Sequence, residues 1–257
     1  MHRHCNIFFV VSIFFLSLHS AAKAQSFIVQ GSTTFSRNVM VPYQTAIESS
    51  SGHNLTVVPN KSSLGIIALF ENRADLAMIS GPHEIEVGQL KLSYPYFSFD
   101  QLQIFNISKT RMAFAINKAN PVHNITSEKM RDILLGNISN WRDVGGTDLQ
   151  IRVVYVREGG GVQASIEDQL LSGEPINAPD PIRVQISSQV VKIVEQLPGA
   201  LGLSQLNIVK DSRTAELKID FPIEQQLNLV TLGSPTPEIL KVINVTRNIA
   251  STVVDRQ

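Results

Sequence analysis

An α/β fold with mostly parallel sheets is what this sequence predicts, and two observations predict it. Short apolar runs alternate with segments of helical spacing along most of the chain, the pattern that strand–helix–strand units leave in a sequence. No repeat and no low-complexity linker breaks the alternation, so a division into lobes would be made by crossing strands and not by a loose tether. The length allows one large domain or two smaller lobes.

The first 24 residues read as a secretory leader. Arg3 gives a positive start, Ile7 to Leu18 an apolar core of 12 residues, and Ala22-Lys23-Ala24 a small-x-small cleavage pattern. That core is too short to span a bilayer as a helix. Cleavage after Ala24 would remove Cys5, the single cysteine. Export without disulfides points to a Gram-negative periplasm. The full chain carries 22 basic and 22 acidic side chains, and Arg3 and Lys23 leave with the leader. The slightly acidic remainder offers no basic field for nucleic acid or anionic membrane, so any anion must be held by a local site. Six Asn-x-Ser/Thr sequons (Asn54, Asn60, Asn106, Asn124, Asn137 and Asn244) are read as chance in such a chain.

Phe27-Ile28-Val29 predicts a first strand, and Val39, Tyr43, Ala46 and Ile47 share one face of a following helix. Between them lies Gly31-Ser32-Thr33-Thr34-Phe35. A strand feeding such a turn leaves backbone N–H groups unpaired at the helix start, and these together with hydroxyls suit an oxyanion; Ser and Thr are equally ordinary caps. Leu55 to Val58 is the next strand, Lys61-Ser62-Ser63-Leu64-Gly65-Ile66 a second turn of the same kind, and Ile66 to Phe70 a helix. Leu76 to Ile79 is a strand with Ser80-Gly81 after it. Arg111 to Ile116 continues the strands, and Ser127 to Leu135 a helix that stops at Gly136. Asn120-Pro121 and Gly145-Gly146 mark loops, with Trp141 between them as a packing anchor.

Ile151 to Val156 is a strand, and Ile166, Leu170 and Leu171 mark the helix after it. The segment joining them, Arg157-Glu158-Gly159-Gly160-Gly161-Val162, combines glycines that let N–H groups approach an anion with a guanidinium that can pair with it. No Gly-Lys-Ser/Thr follows, so it is not a nucleotide P-loop. Four turns at strand ends thus offer N–H donors, hydroxyls and one guanidinium to a common cleft. Catalysis is not indicated. Beyond the leader His53, His83 and His123 lack metal-ligand spacing, and no Gly-x-Ser-x-Gly elbow or cysteine nucleophile remains. The chain is expected to be no enzyme and to need no cofactor.

Taken in order, these segments resemble the phosphate-binding periplasmic proteins of phosphate ABC importers. The resemblance rests on Gly31 to Phe35, Ser62 to Ile66, Ala74-Asp75-Leu76-Ala77, Ala115 to Val122, Ile138 to Gly146 and Leu197 to Gly202. It implies a two-lobe type II periplasmic binding fold, with strand crossings near Phe105 and Asn207: residues 25–105 and 208–257 in the first lobe, 106–207 in the second. It further implies oxyanion binding by Ser32, Thr33 and Thr34, by Ser62, with Ser80 nearby, and by Arg157 with Gly160 and Gly161. The implied partners are inorganic phosphate or a related oxyanion and an importer permease, with no nucleic acid; the implied state is a periplasmic monomer.

Three departures accompany the resemblance. After the arginine the family shows Gly-Ser-Gly-Thr where this chain has Gly159-Gly160-Gly161-Val162, and the spacing from Arg157 is one residue shorter. Phosphate-specific members place an acidic acceptor for the ligand's proton near Ser80-Gly81, where none occurs here; Glu158 is the acidic residue nearest in sequence to the site. Sulfate and arsenate are therefore expected to compete. The alternative reading is an accessory or sensory protein of the same fold, with weak or lost anion binding, that acts by surface docking.

Overall fold

The structure, a computed structural model, describes residues 25–157 and 161–254; the leader, Glu158 and Gly160 lie outside the described residues. The chain forms β1 (Ser26–Ser32), α1 (Thr33–Phe35), a π-helical turn (Ser36–Met40) and α2 (Val41–Ser51). Then come β2 (Asn54–Asn60), α3 (Ser62–Phe70), β3 (Leu76–Ser80), α4 (His83–Ser93) and the long β4 (Leu102–Ile116). The middle of the chain gives α5 (Ser127–Leu135), β5 (Arg152–Val156), α6 (Gly161–Gln169), β6 (Ile182–Val184), α7 (Ser187–Gln196) and β7 (Ala200–Gln205). It closes with α8 (Leu206–Lys210), β8 (Ala215–Leu217), β9 (Glu224–Leu232) and α9 (Pro237–Val254).

The strands run in the order β2-β1-β3-β9-β4-β7-β5-β6, with β8 alongside β4. Parallel pairing joins β1 to β2 and β3, and β5 to β6 and β7. The joins through β4 and β9 are antiparallel. Two parallel sheets are thus linked by two long strands lying side by side. Helices cover both faces of each sheet, so successive residues of one strand enter different cores. Leu76 and Met78 of β3 pack with Phe27, Val29, Phe35 and Leu229, while Ala77 and Ile79 pack with Ile66, Phe99 and Val230. In the second sheet Val153 and Tyr155 face the core around Trp141, and Val154 faces the core around Val190 and Val194. Strands buried on both faces read as unbroken apolar runs, which is why these were visible in sequence. Trp141 is fully buried and donates its indole N–H to the Gly199 carbonyl at 3.0 Å, the packing role expected of it.

The return crossing differs from expectation. The sequence reading puts it near Asn207. Ile208 and Val209 instead pack in the second sheet's core, β8 pairs with β4, and Leu217 and Ile223 join the core around Trp141. The chain goes back only with β9, from Glu224, which pairs with β4 along its whole length.

Candidate functional site

The strand directions place the site. The carboxyl ends of β1, β2 and β3 in one sheet, and of β5, β6 and β7 in the other, open onto one cleft of about 340 Å³. The crevice outside the carboxyl ends of parallel strands is where α/β sheets present helix starts and loops to a ligand. Ser32, Thr33, Thr34, Ser62, Ser80, Arg157 and Gly161, all singled out from the sequence, line this cleft together.

On the first sheet the hydroxyls form a relay. Ser32 accepts from the Phe35 N–H at 3.1 Å and donates to Ser80 Oγ at 2.7 Å. Its single proton is therefore spent inside the protein, and it serves as cap and support. Ser62 Oγ accepts from the Ser80 N–H at 3.2 Å. Thr33 is exposed and Thr34 half-buried, and both line the cleft wall. Gly31 makes this compactness possible. Its φ is +137°, and a Cβ there would lie 2.2 Å from the Met78 carbonyl oxygen, so β1 and β3 approach too closely for any other residue.

Behind Ser62 is a carboxyl that no sequence pattern announced. Glu86 of α4 is only 5% exposed, hydrogen-bonds with Ser62 and is attracted by Lys61. Burial dominates and pushes its pKa from the ordinary 4.5 to about 7. A raised carboxyl pKa means the folded state holds an extra proton between those values, so stability falls as pH rises through that window. Glu86→Gln is expected to remove the decline, leaving the variant more stable than wild type at pH 8 by on the order of 2–3 kcal/mol and similar at pH 4.5. Denaturant melts at the two pH values test this; parallel pH slopes for both proteins would refute it.

Cations the sequence reading did not assign also reach the cleft. Lys61 precedes Ser62, and Arg37 lies one helical turn beyond Thr33; that spacing was the available signal. With Arg157 they make three cations on the lining, and no carboxylate lines it among the described residues. Gln185 and Ser187 bring the start of α7 to the same wall. Arg157 is exposed beyond the end of β5, its backbone held by an N–H bond to the Val184 carbonyl at 2.9 Å. Hydrogen bonds also reach across the cleft: Gln205 Nε2 donates to Thr34 Oγ1 at 3.0 Å, and Asn207 Nδ2 to Asn38 Oδ1 at 3.2 Å.

The place where an acidic acceptor was sought is closed by backbone. Gly81 has φ +97°, and a Cβ on it would lie 3.2 Å from Gly161 Cα. A Cβ on Gly161 would lie 2.2 Å from the Ser80 carbonyl oxygen and 2.3 Å from Gln225 Nε2. Gly81, which stands where the acceptor was expected, and Gly161, which keeps the family's glycine, thus meet each other face to face.

A family model for the PBP superfamily domain matches residues 18–253. The chain is 31% identical over 121 residues to the phosphate-binding protein PstS of Bacillus subtilis, a match covering 47% of this chain and 39% of that protein. It is 29% identical over 185 residues to the protein of the same name from Borreliella burgdorferi, covering 68% of this chain and 58% of that one. The matches therefore span less than two thirds of the length of these relatives. The crystal structure of an ABC-type phosphate transport receptor from Vibrio cholerae superposes with a TM-score of 0.67 at 23% identity, covering 90% of this chain and 97% of that one. Two parallel sheets, two antiparallel crossing strands and a cleft at the strands' carboxyl ends are thus the features of a type II periplasmic binding fold, and the chain belongs to the PBP superfamily.

Proposed function

We propose that this protein is a solute-binding protein that captures an inorganic oxyanion, phosphate, and delivers it to the permease of an ABC importer. The observation that carries the reading is the composition of the cleft: Arg37, Lys61 and Arg157, with hydroxyls of Thr33, Thr34, Ser62 and Ser80, and no carboxylate among the described lining residues. Such a lining disfavours cations and neutral solutes and supplies donors for a small anion. Names of the relatives point the same way. In this reading the two sheets are the cores of two lobes, and the ligand draws them together through donors from both. Thr33, Thr34, Ser62 and Ser80 act from the first lobe, and Arg157 with the N–H groups at Gly160 and Gly161 from the second. The protein works as a monomer in the periplasm after loss of its leader, and it binds without chemistry.

Titration calorimetry of the exported protein with phosphate, combined with small-angle scattering, tests this. Phosphate is expected to bind saturably, shrink the particle and raise the melting temperature. Thr33→Ala and Ser62→Ala should each weaken binding by about three- to tenfold, the cost of one hydrogen bond. A protein that binds none of phosphate, arsenate and sulfate would refute the reading and favour a sensory protein that docks by its surface.

A further inference from the structure

An anion site is a collection of donors, so a buried acceptor inside one needs an explanation. Gln205, the last residue of β7, lines the cleft and is 2% exposed. Its Nε2 donates across the cleft to Thr34 Oγ1, but its Oε1 has no hydrogen-bond partner among the described residues. A buried amide oxygen left unpaired is costly, and proteins pair nearly all such atoms. Because Gln205 lines the cleft, a donor arriving there would supply the partner.

We propose that Gln205 Oε1 accepts a hydrogen bond from the P–OH group of hydrogen phosphate, making Gln205 the residue that distinguishes protonated from fully ionised oxyanions. The inference rests on the reading of the cleft as a phosphate site and names its specificity element. Hydrogen phosphate needs several donors and one acceptor. The arrangement at Thr34 supplies both kinds at once. With Thr34 Oγ1 accepting from Gln205 Nε2, the threonine's own proton is free for a ligand oxygen, while Gln205 Oε1 accepts a hydrogen bond from the ligand's hydroxyl. Among the described lining residues no other group offers both functions together; Gln225 also has an unpartnered amide oxygen but does not line the cleft. The described lining has no carboxylate, and Gly81 is covered by Gly161. Asn60 Oδ1 is also buried and unpartnered among the described residues, but no hydrogen bond ties Asn60 to the other side of the cleft as Nε2 ties Gln205 to Thr34. Gln205 ends β7 of the second sheet and Thr34 lies on α1 directly after β1 of the first, so the acceptor is in place only when the two come together.

A neutral acceptor also predicts a particular kind of selectivity. A carboxylate would repel a fully ionised anion; an amide oxygen only goes unpaired beside one. Discrimination against sulfate should therefore be moderate, about ten- to a hundredfold. Calorimetric titrations at pH 8 with phosphate, arsenate and sulfate, on the wild type, Gln205→Met and Gln205→Glu, provide the test. Gln205→Met should lose about tenfold or more for phosphate and arsenate while sulfate affinity changes less than about threefold, so that the preference collapses. Gln205→Glu should keep phosphate and reject sulfate more strongly than wild type does, a gain that a misfolded variant cannot show. Equal losses for all three anions in Gln205→Met, or no sharpening in Gln205→Glu, would overturn the assignment, because an amide presenting its N–H to the ligand gives that result. A wild type that binds phosphate and sulfate equally would also overturn it while leaving the phosphate reading intact. A wild type that binds no anion removes both.

Discussion

Gly161→Ala is expected to weaken phosphate binding by about a hundredfold while barely moving the melting temperature of the ligand-free protein. The added methyl would stand 2.2 Å from the Ser80 carbonyl oxygen and 2.3 Å from Gln225 Nε2. Neither neighbour yields cheaply, since one is backbone at the end of β3 and the other a fully buried amide on β9. Overpacking of this severity costs about 1–3 kcal/mol or more. If the lobes separate without ligand, the open form is spared and the whole cost falls on the closed form, so affinity drops by the same factor. Calorimetry with parallel thermal melts decides the matter. Unchanged affinity, or an equal loss of stability in the ligand-free protein, would show that Gly161 packs against Ser80 regardless of closure.

Arg157→Ala should cost about ten- to a hundredfold in phosphate affinity. A charge-assisted hydrogen bond contributes about 1.5–3 kcal/mol, and among the described residues Arg157 has no ion pair competing for its guanidinium. Arg157→Lys should recover only part of the loss, because an ammonium cannot present a planar fork. Arg37 and Lys61 soften the effect by keeping the cleft positive, and their alanine variants should show smaller losses at low salt that fade as salt is added. An Arg157→Ala protein within about threefold of wild type would mean that one of these other cations carries the ligand.

What the sequence disclosed was local. Val153 to Tyr155 and Leu76 to Ile79 are buried on both faces and so stand out as apolar runs; Ser127 to Leu135 is a complete helix ended by Gly136. Ser62, Ser80 and Arg157 follow directly on such elements, and this made them visible. The crossing part of β4 was not, because Leu102 to Lys109 mixes exposed and buried positions and no single face is apolar throughout. The return crossing was misplaced for a related reason: α8 looks like a boundary after β7, and only its packing on the second sheet shows that the chain has not yet left. Gln205 and Thr34 lie 171 residues apart in sequence, so their pairing has no local signature at all. Glycine at 81 read as a missing acceptor. In three dimensions it is a contact surface, matched to the glycine at 161.

The pairing of β4 with β9 has a mechanical consequence. The two strands are bonded to each other from Leu102 opposite Leu232 to Arg111 opposite Glu224, with one irregularity between Asn106 and Ser108. A zipped pair of strands is a ribbon: soft when flexed across its broad face, stiff against shear and against splaying in its own plane. Opening would then be confined to a single axis, with the irregularity as the natural crease. Motion held to one axis would bring Gly161 back to Ser80, and Gln205 back to Thr34, on every cycle without a search, and a ligand would then meet a mouth that shuts in only one way.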